Sequence, residues 1–483
     1  MKTLYIGFCI LTIVWMAHPM NSLAQNKEIP ITTSSAEAKE FFIKGRENYR
    51  SFENKEAAAL FDQAILADPS FARAYLYKAK TCKETDEFKK NFEQAVSLSD
   101  KVSEGEKQEI FAEKAAMEGN FQQQKEYLDL LLKDFPTDKS VRLRMGNYYY
   151  AINDFDKALE QYTQATELDP EFVMAINMAG YAHSALNNDK EAEKAFQKYI
   201  ELQPNNPNGY DSYAELLLKQ GQYDQSIDQY EKALKLNPSY SYSLAGLGNN
   251  YIFKGNYDKA RKYYRSYFEN PMSPDDKYDA LNLEAASYIH EGLVEKALTV
   301  FDKYRTLAEK SKDPYHVIWA YGSQGLILTE SGNPSEGRKK YEKAIELAQK
   351  SDFPEKNNAS FMTHTNMWQI YTLCANGEIE KADEVAQTCK QSVESLNDPG
   401  EVMFLQAIMG MIDVRRENLE EAIEHFSRAD QQDPMIWYYN ALAYSKKGDA
   451  QKATEMLEKI SKSNVNSLTL ALMKNKVVKV ADK

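Results

Sequence analysis

The chain has 483 residues, more than one compact core accommodates and ordinary for several domains or one long array. Leu, Ala, Tyr, Glu and Lys dominate, Gly and Pro are sparse and strand-type alternation is absent, which points to an all-helical protein. With 59 basic and 72 acidic residues the net charge is −13, a surface that repels phosphate backbones and argues against nucleic-acid binding.

The first 24 residues differ from the rest. Lys2 is followed by an apolar run from Leu4 to Ala17, a break at His18-Pro19 and the small residues Ser22 and Ala24. This pattern predicts a secretory signal peptide cleaved between Ala24 and Gln25. The run falls short of the roughly 20 apolar residues a membrane span needs. Cys9 lies inside it behind bulky Phe8, which argues against lipid attachment. No later segment is long enough to span, so the mature chain is expected to be soluble, and the leader makes it exported, periplasmic or secreted, with 58 basic against 72 acidic residues. Residues 25–35 are polar and predict a flexible lead-in, with Ser35 placed to cap the first helix.

A fixed period then begins. The segment from Ala38 to Phe71 carries Gly45, Ala57, Phe61, Ala64 and Pro69. Segments over about 72–101 and 105–138 match less well, with Gln124 where a small residue is usual. From Lys139 to Met272 four segments agree closely: Gly146, Gly180, Ala214 and Gly248, then Ala158, Ala192, Ser226 and Ala260, then Tyr162, Phe196, Tyr230 and Tyr264. Pro170, Pro204 and Pro238 close three of them at intervals of 34 residues, and Pro271 closes the fourth. Such a period predicts stacked helical hairpins. Small residues let two helices approach, the aromatic fills the wedge between them, and the proline stops the second helix.

Beyond residue 274 the spacing widens to about 40–45 residues over segments near 278–311, 318–351 and 363–396, which longer helices or longer loops would both explain. The pattern returns at about 403–436 and 435–463, and Leu468 to Val480 predicts one last helix that caps the stack, with Lys474, Lys476, Lys479 and Lys483 facing water.

In period, residue types and closing proline the chain resembles the tetratricopeptide repeat (TPR) family. The resemblance covers about 36–463 and implies an all-α, right-handed superhelical solenoid of about twelve helix-turn-helix repeats with a C-terminal capping helix. The predicted organisation is a signal peptide at 1–24, a lead-in at 25–35, a regular block at 36–274, a longer-period and degenerate block at 275–463, and a capping helix and tail at 464–483.

The tiling leaves no stretch for a catalytic domain, and the sequence has no Gly-rich phosphate loop, G-x-S-x-G, H-E-x-x-H or Cys/His metal pair. No enzymatic activity, cofactor or metal is expected. Cys82, Cys374 and Cys389 read as buried free thiols, with a Cys374–Cys389 bridge as the alternative. By the resemblance, the first helix of each repeat lines a concave groove. Its ligand positions then fall on Asn147, Tyr150, Asn177, Tyr181, Asp211, Glu215, Tyr242, Asn249, Phe253, Asn282 and Trp319. Aromatics beside amides suit an extended peptide or protein partner. The same rings suit a glycan or peptidoglycan strand, or regulation of an envelope enzyme. The lysines of the family's carboxylate clamp are absent, since Leu143 and Ala245 stand in their places.

Overall fold

A computed structural model describes residues 28–82, 85–273, 275–351, 355–396 and 398–481. Among these the chain forms twenty-five α-helices and no strand. The first seven hairpins are α1 (Ala36–Arg50) with α2 (Asn54–Ala67), α3 (Ala72–Thr81) with α4 (Thr85–Ser97), α5 (Glu104–Met117) with α6 (Phe121–Asp134), α7 (Lys139–Ala151) with α8 (Phe155–Leu168), α9 (Val173–Ala185) with α10 (Asp189–Leu202), α11 (Pro207–Lys219) with α12 (Tyr223–Leu236), and α13 (Tyr242–Phe253) with α14 (Tyr257–Glu269). Five more follow: α15 (Asp276–His290) with α16 (Val294–Lys310), α17 (Pro314–Glu330) with α18 (Pro334–Lys350), α19 (Glu355–Ala375) with α20 (Ile379–Leu396), α21 (Pro399–Arg416) with α22 (Leu419–Arg428), and α23 (Pro434–Lys447) with α24 (Ala450–Lys462). A single helix, α25 (Leu468–Ala481), ends the described chain. The fold is the all-α solenoid expected from the sequence, with twelve hairpins.

Helices of 13 or 14 residues are marginal alone in water, so each hairpin holds by burying its wedge. A Cβ on Gly248 would lie 2.2 Å from the Tyr264 ring, and one on Gly180 would lie 2.6 Å from the Phe196 ring. Only glycine permits that approach, and the rings it admits are almost wholly buried. The closing prolines sit outside the helices, in turns fastened by the preceding residue: Asp68 Oδ1 accepts from the Ser70 amide at 2.9 Å, and Asp169 Oδ1 from the Glu171 amide at 3.0 Å.

The wider spacing of the second block is a matter of helix length. Helices α16, α17 and α18 have 17 residues each, against 13 or 14 in α7 to α12. The connection from α16 to α17 stays short, Ser311 to Asp313. Pro314, Pro334, Pro399 and Pro434 open helices here instead of closing them, which suits a residue with no N–H to donate.

The segment before α1 crosses the N-terminal ends of α3, α5 and α7, and the connection before α25 enters the inner face of the solenoid. Where the sequence suggests a flexible lead-in, residues 28–34 are pinned. Ile29 is 2% exposed, its amide donates to Asp138 Oδ2 at 3.0 Å, and the Thr32 amide donates to Glu106 Oε1 at 2.8 Å. Ser35 caps α1 as expected, accepting from the Ala38 amide at 3.1 Å. Helix α25 covers the last hairpin as a cap does, but it also packs on α15. Two of its lysines therefore do not face open water. Lys474 lies 4.9 Å from the Phe253 ring centre, and Lys476 pairs with the buried Glu330. Cys82, Cys374 and Cys389 are free thiols. Residues 1–24, the expected signal peptide, lie outside the described residues.

Candidate functional site

The first helix of each hairpin faces inward, and these inner helices line a row of three chambers. The first, about 360 Å³, lies between α1 and α9 and is bounded by Tyr49, Tyr77, Lys80, Glu113, Arg144 and Asn147. A buried charge network forms its floor. Arg73 Nε approaches Glu109 Oε2 at 2.7 Å, and Arg144 contacts both Glu109 and, at 3.2 Å, Glu113. Lys80 completes the set through Glu113. Burial alone would push the Glu109 carboxyl up, but Arg144, Arg73 and Lys80 outweigh it and hold the carboxyl at about 2. The same floor fixes the lead-in, because Arg73 donates to the carbonyls of Ile29 and Pro30.

The second chamber, about 450 Å³, is acidic and aromatic. Tyr181, Asp211, Glu215, Tyr242 and Asn249 come together here, with Tyr230, Tyr267, Asp276 and Asp279. The Tyr181 hydroxyl donates to Glu215 Oε2 at 2.9 Å and lies 3.1 Å from Ser212 Oγ. Ser243 Oγ donates to Asp211 Oδ1 at 2.6 Å. Burial, opposed by that bond and reinforced by the charge of Glu215, raises the Asp211 carboxyl to about 7. Glu215 is raised by its setting too, although water still reaches it down the groove.

The third chamber, about 460 Å³, is mainly apolar. Asn282 and Trp319 lie on its wall, as the sequence suggests, and α19, α21 and α23 add Trp368, Tyr371, Phe404, Met411 and Met435. Trp319 and Trp368 meet edge to face with ring centres 5.5 Å apart. A Cβ on Gly322 would lie 2.2 Å from the Trp368 ring, so the glycine makes room for the indole. Trp368, Tyr371, Phe404 and Met411 are not marked in the sequence, because the chamber they line is closed by helices from different hairpins; Gly322, which makes room for Trp368, stands on α17 and the indole on α19.

Three expected positions play other parts. Tyr150 packs edge to face on Phe155 at 5.2 Å. Asn177 is 4% exposed and its Oδ1 has no hydrogen-bond partner among the described residues. Phe253 is covered by Lys474 and lies edge to face with His290 at 6.0 Å. Asn147 and Asn249 line chambers but also serve their own hairpins, accepting from the Tyr162 hydroxyl at 2.9 Å and the Tyr264 hydroxyl at 2.8 Å. Tyr341, buried at the same repeat position, has Leu326 where the asparagine would stand, and its hydroxyl has no partner among the described residues. His183 is half-buried on α9, and burial lowers its pKa.

Residues 143–207 and 245–314 match one tetratricopeptide-repeat family, and residues 208–270 match a second. The chain is 27% identical over 177 residues to anaphase-promoting complex subunit 3 of Schizosaccharomyces pombe, covering 36% of this chain and 26% of that protein. It is 26% identical over 125 residues to Hsp70-Hsp90 organizing protein 3 of Arabidopsis thaliana, covering 26% of this chain and 21% of that protein. The chain thus spans about a quarter of the length of these curated relatives. Among solved structures, a tetratricopeptide repeat protein from Parabacteroides merdae is 14% identical with a TM-score of 0.38, covering 54% of this chain and 98% of that one. YrrB, described as a TPR protein with an unusual peptide-binding site, is 22% identical with a TM-score of 0.26, covering 38% of this chain and 97% of that one.

Proposed function

We propose that this chain, which carries tetratricopeptide repeats, is an exported scaffold that binds extended protein segments along its inner face and catalyses nothing. The observation that carries the reading is the lead-in. Residues 28–33 run as a non-helical segment across the N-terminal ends of α3, α5 and α7, beside the charge network under the first chamber, with backbone amides held by Asp138 and Glu106, carbonyls held by Arg73, and the Ile29 side chain buried. A solenoid surface that satisfies a non-helical backbone and buries one of its side chains has the chemistry of peptide recognition. Along the inner helices the second and third chambers offer Tyr181, Asp211, Glu215, Tyr242, Asn282 and Trp319 for such a segment. Export rests on the Lys2-to-Ala24 pattern.

The test is capture from the envelope fraction of the host organism by the mature chain and by a Tyr181→Ala/Tyr242→Ala/Trp319→Ala variant. A protein retained by the first and lost by the second is the expected result. Equal capture by both would overturn a groove site, and capture of polysaccharide instead of protein would replace the peptide ligand with a glycan.

A further inference from the structure

Residues 463–467 join α24 to α25 without helical structure, and they lie on the inner face against α13 and the C-terminal ends of α11 and α15. Their side chains alternate as in an extended strand: Asn464 and Asn466 turn to the wall, while Val465 between them is 62% exposed.

The wall matches both carboxamides. Asn464 Oδ1 accepts from the Tyr223 hydroxyl at 2.9 Å, and its Nδ2 donates to the Lys219 carbonyl at 3.4 Å. Asn466 Nδ2 donates to Asn249 Oδ1 at 3.0 Å and lies 3.2 Å from the Tyr264 hydroxyl. His290 Nε2 is 3.0 Å from Asn466 Oδ1, which requires the proton on that ring nitrogen. Five hairpin residues thus converge on two amide groups two residues apart.

We propose that this wall is a receptor for an extended polypeptide presenting carboxamide side chains at alternate residues, and that Asn464 and Asn466 are its resident occupant, displaced by a partner segment of the same pattern. The proposal names the ligand class of the peptide groove above and rests on that reading.

Two features make the occupant replaceable. Each bond is one that water can replace at little net cost, and Val465 between them is 62% exposed. The occupant persists because it is tethered, at an effective concentration on the order of millimolar. Ile460 and Leu470, both at 0% exposure, anchor α24 and α25 on either side, so displacement involves residues 463–466, with Ser467 kept as the cap that accepts from the Leu470 amide at 3.0 Å. Lifting them also joins two chambers, since Asn466 stands between the second and third.

The experiment uses the full mature chain, its Asn464→Ala/Asn466→Ala variant, and a fluorescent peptide with the sequence of residues 461–469. Fluorescence anisotropy is expected to show binding about tenfold tighter or more to the variant, whose own segment no longer competes. A peptide with alanine at both asparagines is expected to bind neither protein, and Asn249→Ala added to the variant is expected to abolish the gain. Equal binding of the two peptides, or no gain in the variant at an unchanged melting temperature, would overturn the proposal. If a protein is still captured through Tyr181, Tyr242 and Trp319 in that case, the groove reading stands and only the carboxamide pattern falls.

Discussion

Two segments outside the hairpins, one before α1 and one before α25, are held against the solenoid by different chemistry. The N-terminal end, residues 28–33, meets buried charge: Asp138, Glu106 and Arg73, with Arg73 tied to Glu109 at the floor. The C-terminal connection, residues 463–467, meets neutral amides, a phenol and an imidazole. Buried charges left without partners are costly, so the first end is part of the fold. Neutral groups that water can replace one for one leave the second end exchangeable.

The largest expected effect tests the charged end. Glu109→Gln leaves Arg73 and Arg144 short of their carboxylate and is expected to cost about 3–5 kcal/mol in urea unfolding. A loss of the same size from Asn464→Ala/Asn466→Ala would erase the contrast between the ends. A smaller effect separates the apolar residue at each end. Ile29→Ala removes a buried side chain at an expected cost of about 2–3 kcal/mol, the low end for such a truncation. Val465→Ala, at a position 62% exposed, is expected to stay within about 0.5 kcal/mol.

Acidification should release the ends in order. Burial, eased by the bond to Asn466 and reinforced by Lys474, lowers His290 from 6.5 to about 4. The folded state therefore binds that proton less readily than the unfolded chain, and the stability His290 contributes is complete above pH 6.5 and lost as pH falls toward 4. Glu109 is depressed from 4.5 to about 2, so its contribution is present above pH 4.5 and lost only as pH falls toward 2. Hydrogen exchange corrected for the intrinsic rate is expected to show residues 464–473 losing protection first and residues 29–33 later. The reverse order would contradict the assignment of charge to one end and neutral bonding to the other.

How much was legible follows from how far apart the interacting residues lie. Gly180 and Phe196, or Gly248 and Tyr264, are 16 residues apart within one hairpin, so their packing repeats along the sequence and can be read from it. The same holds for Asn147 with Tyr162 and Asn249 with Tyr264, although the sequence suggests ligand contacts for those asparagines where the structure also gives them a partner in their own hairpin. Tyr181, Asp211, Glu215 and Tyr242 were legible as groove residues because the repeat register puts them on inner helices. Trp368 was not, because the residue that makes room for it, Gly322, lies in a different hairpin.

The sequence by itself determined the helical hairpins and about how many there are, since both rest on short-range contacts repeated at a fixed period, and the resemblance to the repeat family implied which helix turns inward. Only the tertiary structure decided what packs against the stack. Ile29 and Asp138 are 109 residues apart, and Asn249 and Asn466 are 217 apart. Such contacts occur once, leave no period, and depend on how far the stack curls before its ends meet the wall.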